Sequence, residues 1–202
     1  MSNFKVRSYS IQDEPAVYDI CLKCGDNGKD ASDLYSDPRA LGNIYAGPYI
    51  YFEPESAFVL EDAEGVCGYI LSTKNTMEFY DKYVSLWLPS LRNKYPEPTG
   101  EFSNFSPDEN VYHQYHHPDN YIIKDIEDYP AHLHIDLLPR AQRMGNGKSL
   151  MNTLIKYQKT NHVPGLHLGV GEINYGAITF YKKMGFTELE RHDDVIFMGK
   201  KF

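Results

Sequence analysis

The sequence predicts an α/β protein, a mixed central sheet of about six to seven strands flanked by helices. Three observations carry that expectation. Short alternating or wholly apolar runs, such as 57–61, 66–72 and 165–171, have strand length and strand composition. Between them lie stretches with apolar residues at i, i+3, i+4 and i+7, the stripe of a helix packed on one face. A glycine-rich turn, Gly145-Asn146-Gly147, sits where a strand pattern gives way to a helix pattern, a joint suited to anionic ligands. With 202 residues the chain can bury a sizeable core, and 1–202 reads as a single domain.

Taken in order, Lys5–Tyr9 alternates and reads as a first strand. Asp13 is expected as an N-cap, with Pro15 in the first turn and Gly25 just past the end of a helix. That helix carries Val17, Ile20, Cys21 and Cys24 on one stripe. The Cys21-Leu22-Lys23-Cys24 spacing is therefore read as core. Residues 25–50 are rich in Asp, Gly and Pro and suggest a short helix inside a long ordered loop. Their acids, Asp26, Asp30, Asp33 and Asp37, form either a solvated face or an entry for a cationic substrate.

A β-hairpin follows, Ala57–Glu61 and Val66–Ser72 around a turn at 63–65. From Asn75 a helix places Tyr80, Tyr83, Val84, Trp87 and Leu88 on one face, and Pro89 is expected to limit its length. Residues 95–130 hold Pro96, Pro98, Pro107, Pro118 and Pro130 and show no clear periodicity. The last third is the most regular. It reads as a strand at 131–138, a helix from Asn146 to Thr160 with Leu150, Met151, Leu154 and Ile155 inward, a strand at 165–171, a helix at 175–184, and strands Phe186–Glu190 and Val195–Lys200.

Composition narrows the functions. The formal charge of −8 disfavours a general nucleic-acid binder and suits amine-bearing partners. No apolar run approaches a bilayer's thickness, and the first residues lack a signal-peptide apolar region, so no membrane partner is expected. Three cysteines without framework spacing point to a reducing compartment, hence a cytoplasmic or nuclear location.

The glycine loop can be tested against common phosphate loops by counting. A Walker A loop ending at Gly147-Lys148-Ser149 needs glycine at position 142, which is Gln142. A dinucleotide fingerprint starting at Gly145 needs glycine or alanine at position 150, which is Leu150. What remains is Gln142-x-x-Gly145-x-Gly147, followed one strand later by Asn174-x-x-Ala177-x-x-Phe180-Tyr181-x-Lys183-x-Gly185-Phe186. Together these resemble the acyl-CoA pyrophosphate loop and the second motif of the GCN5-related N-acetyltransferases (GNAT). "HIDLLPRAQ", "LGNIYAGPY", "FVLED" and "GVCGYIL" are similar to the acetyltransferase-like domain at the C-terminus of animal O-GlcNAcase and to its free-standing bacterial relatives.

The resemblance implies a GNAT fold whose sheet splays at an acetyl-CoA cleft. It implies that the backbone around Gln142, Arg143, Met144, Gly145, Asn146, Gly147 and Lys148 holds the pyrophosphate, with Arg143 and Lys148 adding charge. The main chain of Leu137 and Leu138 would pair with the pantetheine, and Asn174 would meet the CoA arm. Tyr181 would be the general acid for the departing thiolate. Within the group the animal domain is viewed as a pseudo-acetyltransferase with an eroded loop; here the loop is intact. Two readings follow: acetyl transfer to an amine on a small molecule or peptide, or a pseudo-enzyme binding acetyl-CoA or protein partners without turnover. A third places the chain within a larger O-GlcNAcase-like hydrolase.

A base is sought by strand alternation. His132, His134 and Asp136 share one face of their strand, and His167 lies on the next. That polar face supplies either a catalytic or substrate contact, with Asp136 and His134 as candidates, or a hydrogen-bonded layer under the N-terminal helix. The segment "YHQYHHPDNY" offers His113-x-x-His116 as a metal pair, but no neighbouring Cys or Glu in sequence completes a set, so no metal is expected. A substrate loop or a packed loop is expected there, and 119–129 reads as a solvated connection.

Overall fold

The computed structural model describes residues 4–119 and 122–202. Residues 1–3, 120 and 121, and with them Tyr121 of the histidine-rich segment, lie outside the described residues. In chain order the elements are β1 Lys5–Ser8, α1 Glu14–Lys23, α2 Gly42–Tyr45, α3 Gly47–Phe52, β2 Phe58–Asp62, β3 Gly65–Ser72, α4 Thr76–Lys82, α5 Leu88–Lys94, α6 Pro107–His116, β4 Ala131–Leu137, α7 Asn146–Thr160, β5 Gly165–Gly171, α8 Tyr175–Lys183, β6 Thr187–His192 and β7 Val195–Lys201. Among the described residues seven strands form one sheet in the order β1-β2-β3-β4-β5-β7-β6. The α/β class and the mixed sheet agree with the sequence. No helix among the described residues is long and apolar enough to cross a membrane.

The decisive feature lies at the centre of the sheet. β4 and β5 are parallel, but they register only at Ala131↔Leu166 and His132↔His167. Beyond that point the neighbours part, whereas β4 stays paired with β3 through Leu137 and β5 with β7 through Gly171. A wedge opens between two strands that were side by side one turn of pleat earlier.

The sheet is covered on both faces, as parallel pairing at its centre requires. On one face Val17, Ile20 and Cys21 of α1, Tyr49 of α3, Leu88 of α5 and Tyr115 of α6 pack with Tyr69 and Leu71 of β3. On the other, Leu150, Met151 and Leu154 of α7 meet Leu60, Ile70, Leu133 and Leu166. β4 alternates accordingly: Leu133, Ile135 and Leu137 join the α7 face, while His132, His134 and Asp136 point toward α1–α4.

Four local expectations need correction. The helix beginning after Asn75 does not stop near Pro89. A π-helical turn at Tyr83–Trp87 lets the chain run on into α5, because proline in a first turn needs no amide partner. The region 95–130 contains α6, started by Ser106: its hydroxyl accepts the Glu109 amide while Glu109 accepts the Ser106 amide. The connection 119–129 is not uniformly solvated, since Ile123 and Tyr129 are buried. Asp13 does sit just before α1, but its carboxylate makes no cap bond. It accepts both terminal nitrogens of Arg7, at 2.6 and 2.8 Å, and the Ser10 amide.

Candidate active site

The wedge is a cleft of about 230 Å³ lined by α1, its following loop, β4, the end of β5 and α8. Its β4 wall has an edge without a strand partner. Leu138 donates its amide to Cys67 and Thr73 donates to His132 across the β3–β4 ladder. Those two bonds fix the ladder's phase, so Leu133, Ile135 and Leu137 turn their own N–H and C=O toward β5. With β5 gone beyond His132, Ile135 and Leu137 have no strand partner on that side; Ile135 lines the cleft, and the Leu137 carbonyl accepts instead from Gln142 Nε2 at 2.8 Å and from the Cys24 thiol at 3.5 Å. Of the two leucines implied by the resemblance, Leu137 thus lies on the open edge, while the Leu138 amide is used inside the sheet. Ile135 was not singled out from the sequence, because edge and interior positions look alike until the pairing is known.

Past the end of β4 the chain turns into α7. Arg143 and Gly145 adopt left-handed backbone conformations, φ 62° and 84°, which folds 142–146 tightly under the helix start. Asn146 is buried and donates to the Ala141 carbonyl, and Gln142 donates to the Leu137 carbonyl, so both brace the loop from within. The first amides of α7 have no intrahelical acceptor and open outward, with Arg143, Met144 and Lys148 exposed around them. Arg140 is drawn away from this cluster by Asp62, 3.0 Å, and Glu64, 3.8 Å. Among the described residues Arg143 and Lys148 form no ion pair. A Cβ on Gly147 would lie 3.4 Å from the Phe180 ring and 3.9 Å from Leu137, so a side chain there would start between α8 and the end of β4.

The far wall is α8. Asn174 caps it, its side-chain oxygen accepting the Ala177 amide at 3.1 Å, which leaves its amide nitrogen toward the loop at Gly28. Tyr181 is buried against Phe180 and Phe186 and lines the cleft. Burial, reinforced by the charge of Asp136, pushes its hydroxyl well above the usual range, so it stays a proton donor. Cys21 and Cys24, expected as core, are buried but also line this cleft. Burial raises both thiols, to about 12 for Cys21, and leaves them neutral.

Asp136 stands opposite. It accepts a 2.5 Å hydrogen bond from the Tyr69 hydroxyl, yet burial dominates and its carboxyl rises from 3.8 to about 6. His134 lines the same cleft, edge-on to Tyr45 and Tyr49, and burial lowers it to about 4. His132 belongs to the closed end: Nδ1 meets the Thr76 hydroxyl at 2.7 Å and Nε2 the Tyr49 hydroxyl at 2.6 Å. His167 is also buried there, Nδ1 at 2.7 Å from the Tyr129 carbonyl. The four groups of the polar band are thus split between a locked layer and a cleft wall.

Two parallel strands that part at the centre of the sheet, with a glycine-rich turn running from the first of them into α7, are the architecture that the sequence resemblance led us to expect. The family comparison agrees: the Acetyltransferase (GNAT) family model matches residues 29–186, and the chain belongs to that family. It is 27% identical to Protein O-GlcNAcase of Rattus norvegicus and of Mus musculus, the match covering 98% of this chain and 22% of each relative. The chain therefore spans about a fifth of the length of these curated relatives. The crystal structure of SsHAT superposes with a TM-score of 0.92 at 38% identity, covering 98% of both chains. The PaiA N-acetyltransferase of Thermoplasma acidophilum in complex with coenzyme A shares the fold, with a TM-score of 0.57 at 14% identity over 99% of both chains.

Proposed function

We propose that this chain transfers an acetyl group from acetyl-CoA to an amine, with Asp136 as base and Tyr181 as acid. The observation that carries the reading is the juxtaposition within one wedge. A backbone edge at Ile135 and Leu137 that lacks a strand partner, its Leu137 carbonyl held by Gln142, leads from the glycine loop to a carboxyl raised to about 6 and a neutral tyrosine. The residues fit the cosubstrate part by part. The helix-start amides with Arg143 and Lys148 suit a pyrophosphate, and the Ile135–Leu137 edge suits the pantetheine amides, which would add to it like a strand. Acetyl-CoA supplies an activated thioester carbonyl.

The chain's own groups then manage protons. An ammonium must lose a proton before its nitrogen can attack, and Asp136, ionised above about pH 6, accepts it. As the carbon–nitrogen bond forms and the carbon–sulfur bond breaks, the electron pair of the latter stays on sulfur; Tyr181 would donate a proton to it and be reprotonated by the second proton that the nitrogen loses on becoming an amide. Tyr69 holds Asp136 in place. His134, neutral above about pH 4, is a weaker base and serves as a polar wall for the acceptor. Asp136 also places negative charge where a cationic acceptor must enter, in keeping with the chain's −8.

Titration calorimetry with acetyl-CoA, followed by an acceptor screen for thiol release across amines, peptides and amino sugars, tests the reading. Saturable binding with amine-dependent thiol release is expected. Binding without turnover on any acceptor would replace it with the pseudo-enzyme reading. Absence of binding would remove the transferase and leave only a pseudo-enzyme that binds protein partners.

A further inference from the structure

The histidine-rich segment is not consumed by the cleft, and the structure gives it a partner the sequence does not. Glu97, on the loop after α5, meets His113 of α6 and His117 at its C-terminal cap, with one ligand-type atom from each within 4.8 Å of the others. We infer that Glu97, His113 and His117 form a binding site for a zinc-type divalent transition-metal ion, clamping the α5–α6 loop to the end of α6.

The pairing differs from the sequence expectation. His113 and His116 are three apart, but His116 turns to the Tyr95 carbonyl, 2.9 Å away. His113 and His117 are four apart and rise on one face, their rings stacked at 4.4 Å. Two imidazoles and a carboxylate are a borderline donor set that suits zinc and leaves a fourth tetrahedral position for water.

The donors are already assembled. His117 Nε2 and Glu97 Oε1 are 2.5 Å apart, and that hydrogen bond holds the Glu97 carboxyl below its usual range. Tyr95 stacks on Tyr112 at 4.7 Å and accepts from His116, which pins the backbone two residues before Glu97. Phe102 and Phe105 flank the His113 ring at 5.3 and 5.8 Å. Tetrahedral ligation at zinc–nitrogen distances of about 2.1 Å needs donor atoms about 3.4 Å apart. The donors lie within 4.8 Å of one another, so closing to that spacing calls for the stacked His113 and His117 rings to turn toward a common point. His117 then exchanges its hydrogen bond to Glu97 for the metal.

The test is zinc uptake by the chelator-stripped chain. Calorimetry should show one ion per chain, and cobalt in its place should give visible absorption of a low-symmetry site. His113→Ala and His117→Ala should each weaken uptake on the order of tenfold or more. Glu97→Gln should weaken it too, whereas His162→Ala, at an exposed turn after α7, should leave it unchanged. A readout on the unmutated protein covers the case in which a variant misfolds: zinc should protect His113 and His117, and not His162, from carbethoxylation by diethyl pyrocarbonate. No saturable uptake at submillimolar zinc would overturn the assignment. So would uptake indifferent to both histidine variants, or carbethoxylation indifferent to zinc.

Discussion

The two ends of β4 carry the same kind of residue on the same face, and they have opposite fates. At the closed end, where β4 still pairs with β5, His132 and His167 are buried and bonded to Thr76, Tyr49 and the Tyr129 carbonyl. At the open end, four residues on, Asp136 has Tyr69 as its hydrogen-bond partner, a carboxyl raised to about 6, and a cleft in front of it. Strand pairing is the difference. A backbone partner leaves a polar side chain to be satisfied by its layer. A missing partner exposes both the backbone edge and the side chain beside it. A polar strand face is therefore structural or chemical according to what its neighbour strand does.

The sharpest way to break that comparison is to fill the open end. Gly147→Glu should bring acetyl-CoA binding below detection by calorimetry while shifting Tm by no more than a few degrees, because its Cβ would meet the Phe180 ring at contact distance, 3.4 Å, without overlap. Retained affinity would mean the cradle lies elsewhere.

Next in size, Asp136→Asn should lower kcat/KM about 10²–10⁴-fold with acetyl-CoA affinity kept. It should also abolish the rise in kcat/KM that the unmodified chain is expected to show as pH climbs through about 6. The same change has an opposite signature in stability. The folded carboxyl titrates at about 6 against an ordinary 3.8, so folding disfavours its ionised form. The penalty is absent below about pH 4 and complete above about pH 6, and Asp136→Asn should therefore stabilise the fold by about 1–3 kcal/mol at pH 8. Thermal melts at pH 8 and pH 4 check this; equal shifts at both would show that the carboxyl is not desolvated.

Tyr181→Phe should reduce kcat by about 10²-fold with little change in acceptor KM, read from initial rates. The smallest effect belongs to the closed end. Tyr49→Phe removes the hydroxyl facing His132 Nε2 and should cost about 1 kcal/mol in denaturant titrations without changing turnover. A large loss of turnover there would erase the distinction between the two ends.

Much of this was legible in the chain. Strand 165–171 and the helix from Asn146 to Thr160 fall at the expected bounds, because apolar period and glycine placement are local signals. α6 was hidden by the surrounding prolines, although Ser106, Pro107 and Glu109 are a capping box in plain view. The run past Pro89 was illegible, since no local signal marks the π turn at Tyr83–Trp87 that carries the chain on into a helix with Leu88 fully buried.

By itself the sequence determined the strands of the hairpin and of the last third, the helix from Asn146 to Thr160, the glycine loop that rejects nucleotide fingerprints, and the alternation that gathers His132, His134 and Asp136 on one face. Each follows from backbone geometry over a few residues. Tertiary structure alone decided that β4 and β5 separate after His132, that Ile135 shares the open edge with Leu137, and that Arg140 is spent on Asp62. It also decided that Asp136 titrates near 6 and that Glu97 stands beside His117. These depend on desolvation and on contacts between distant segments, quantities that exist only once the chain has folded.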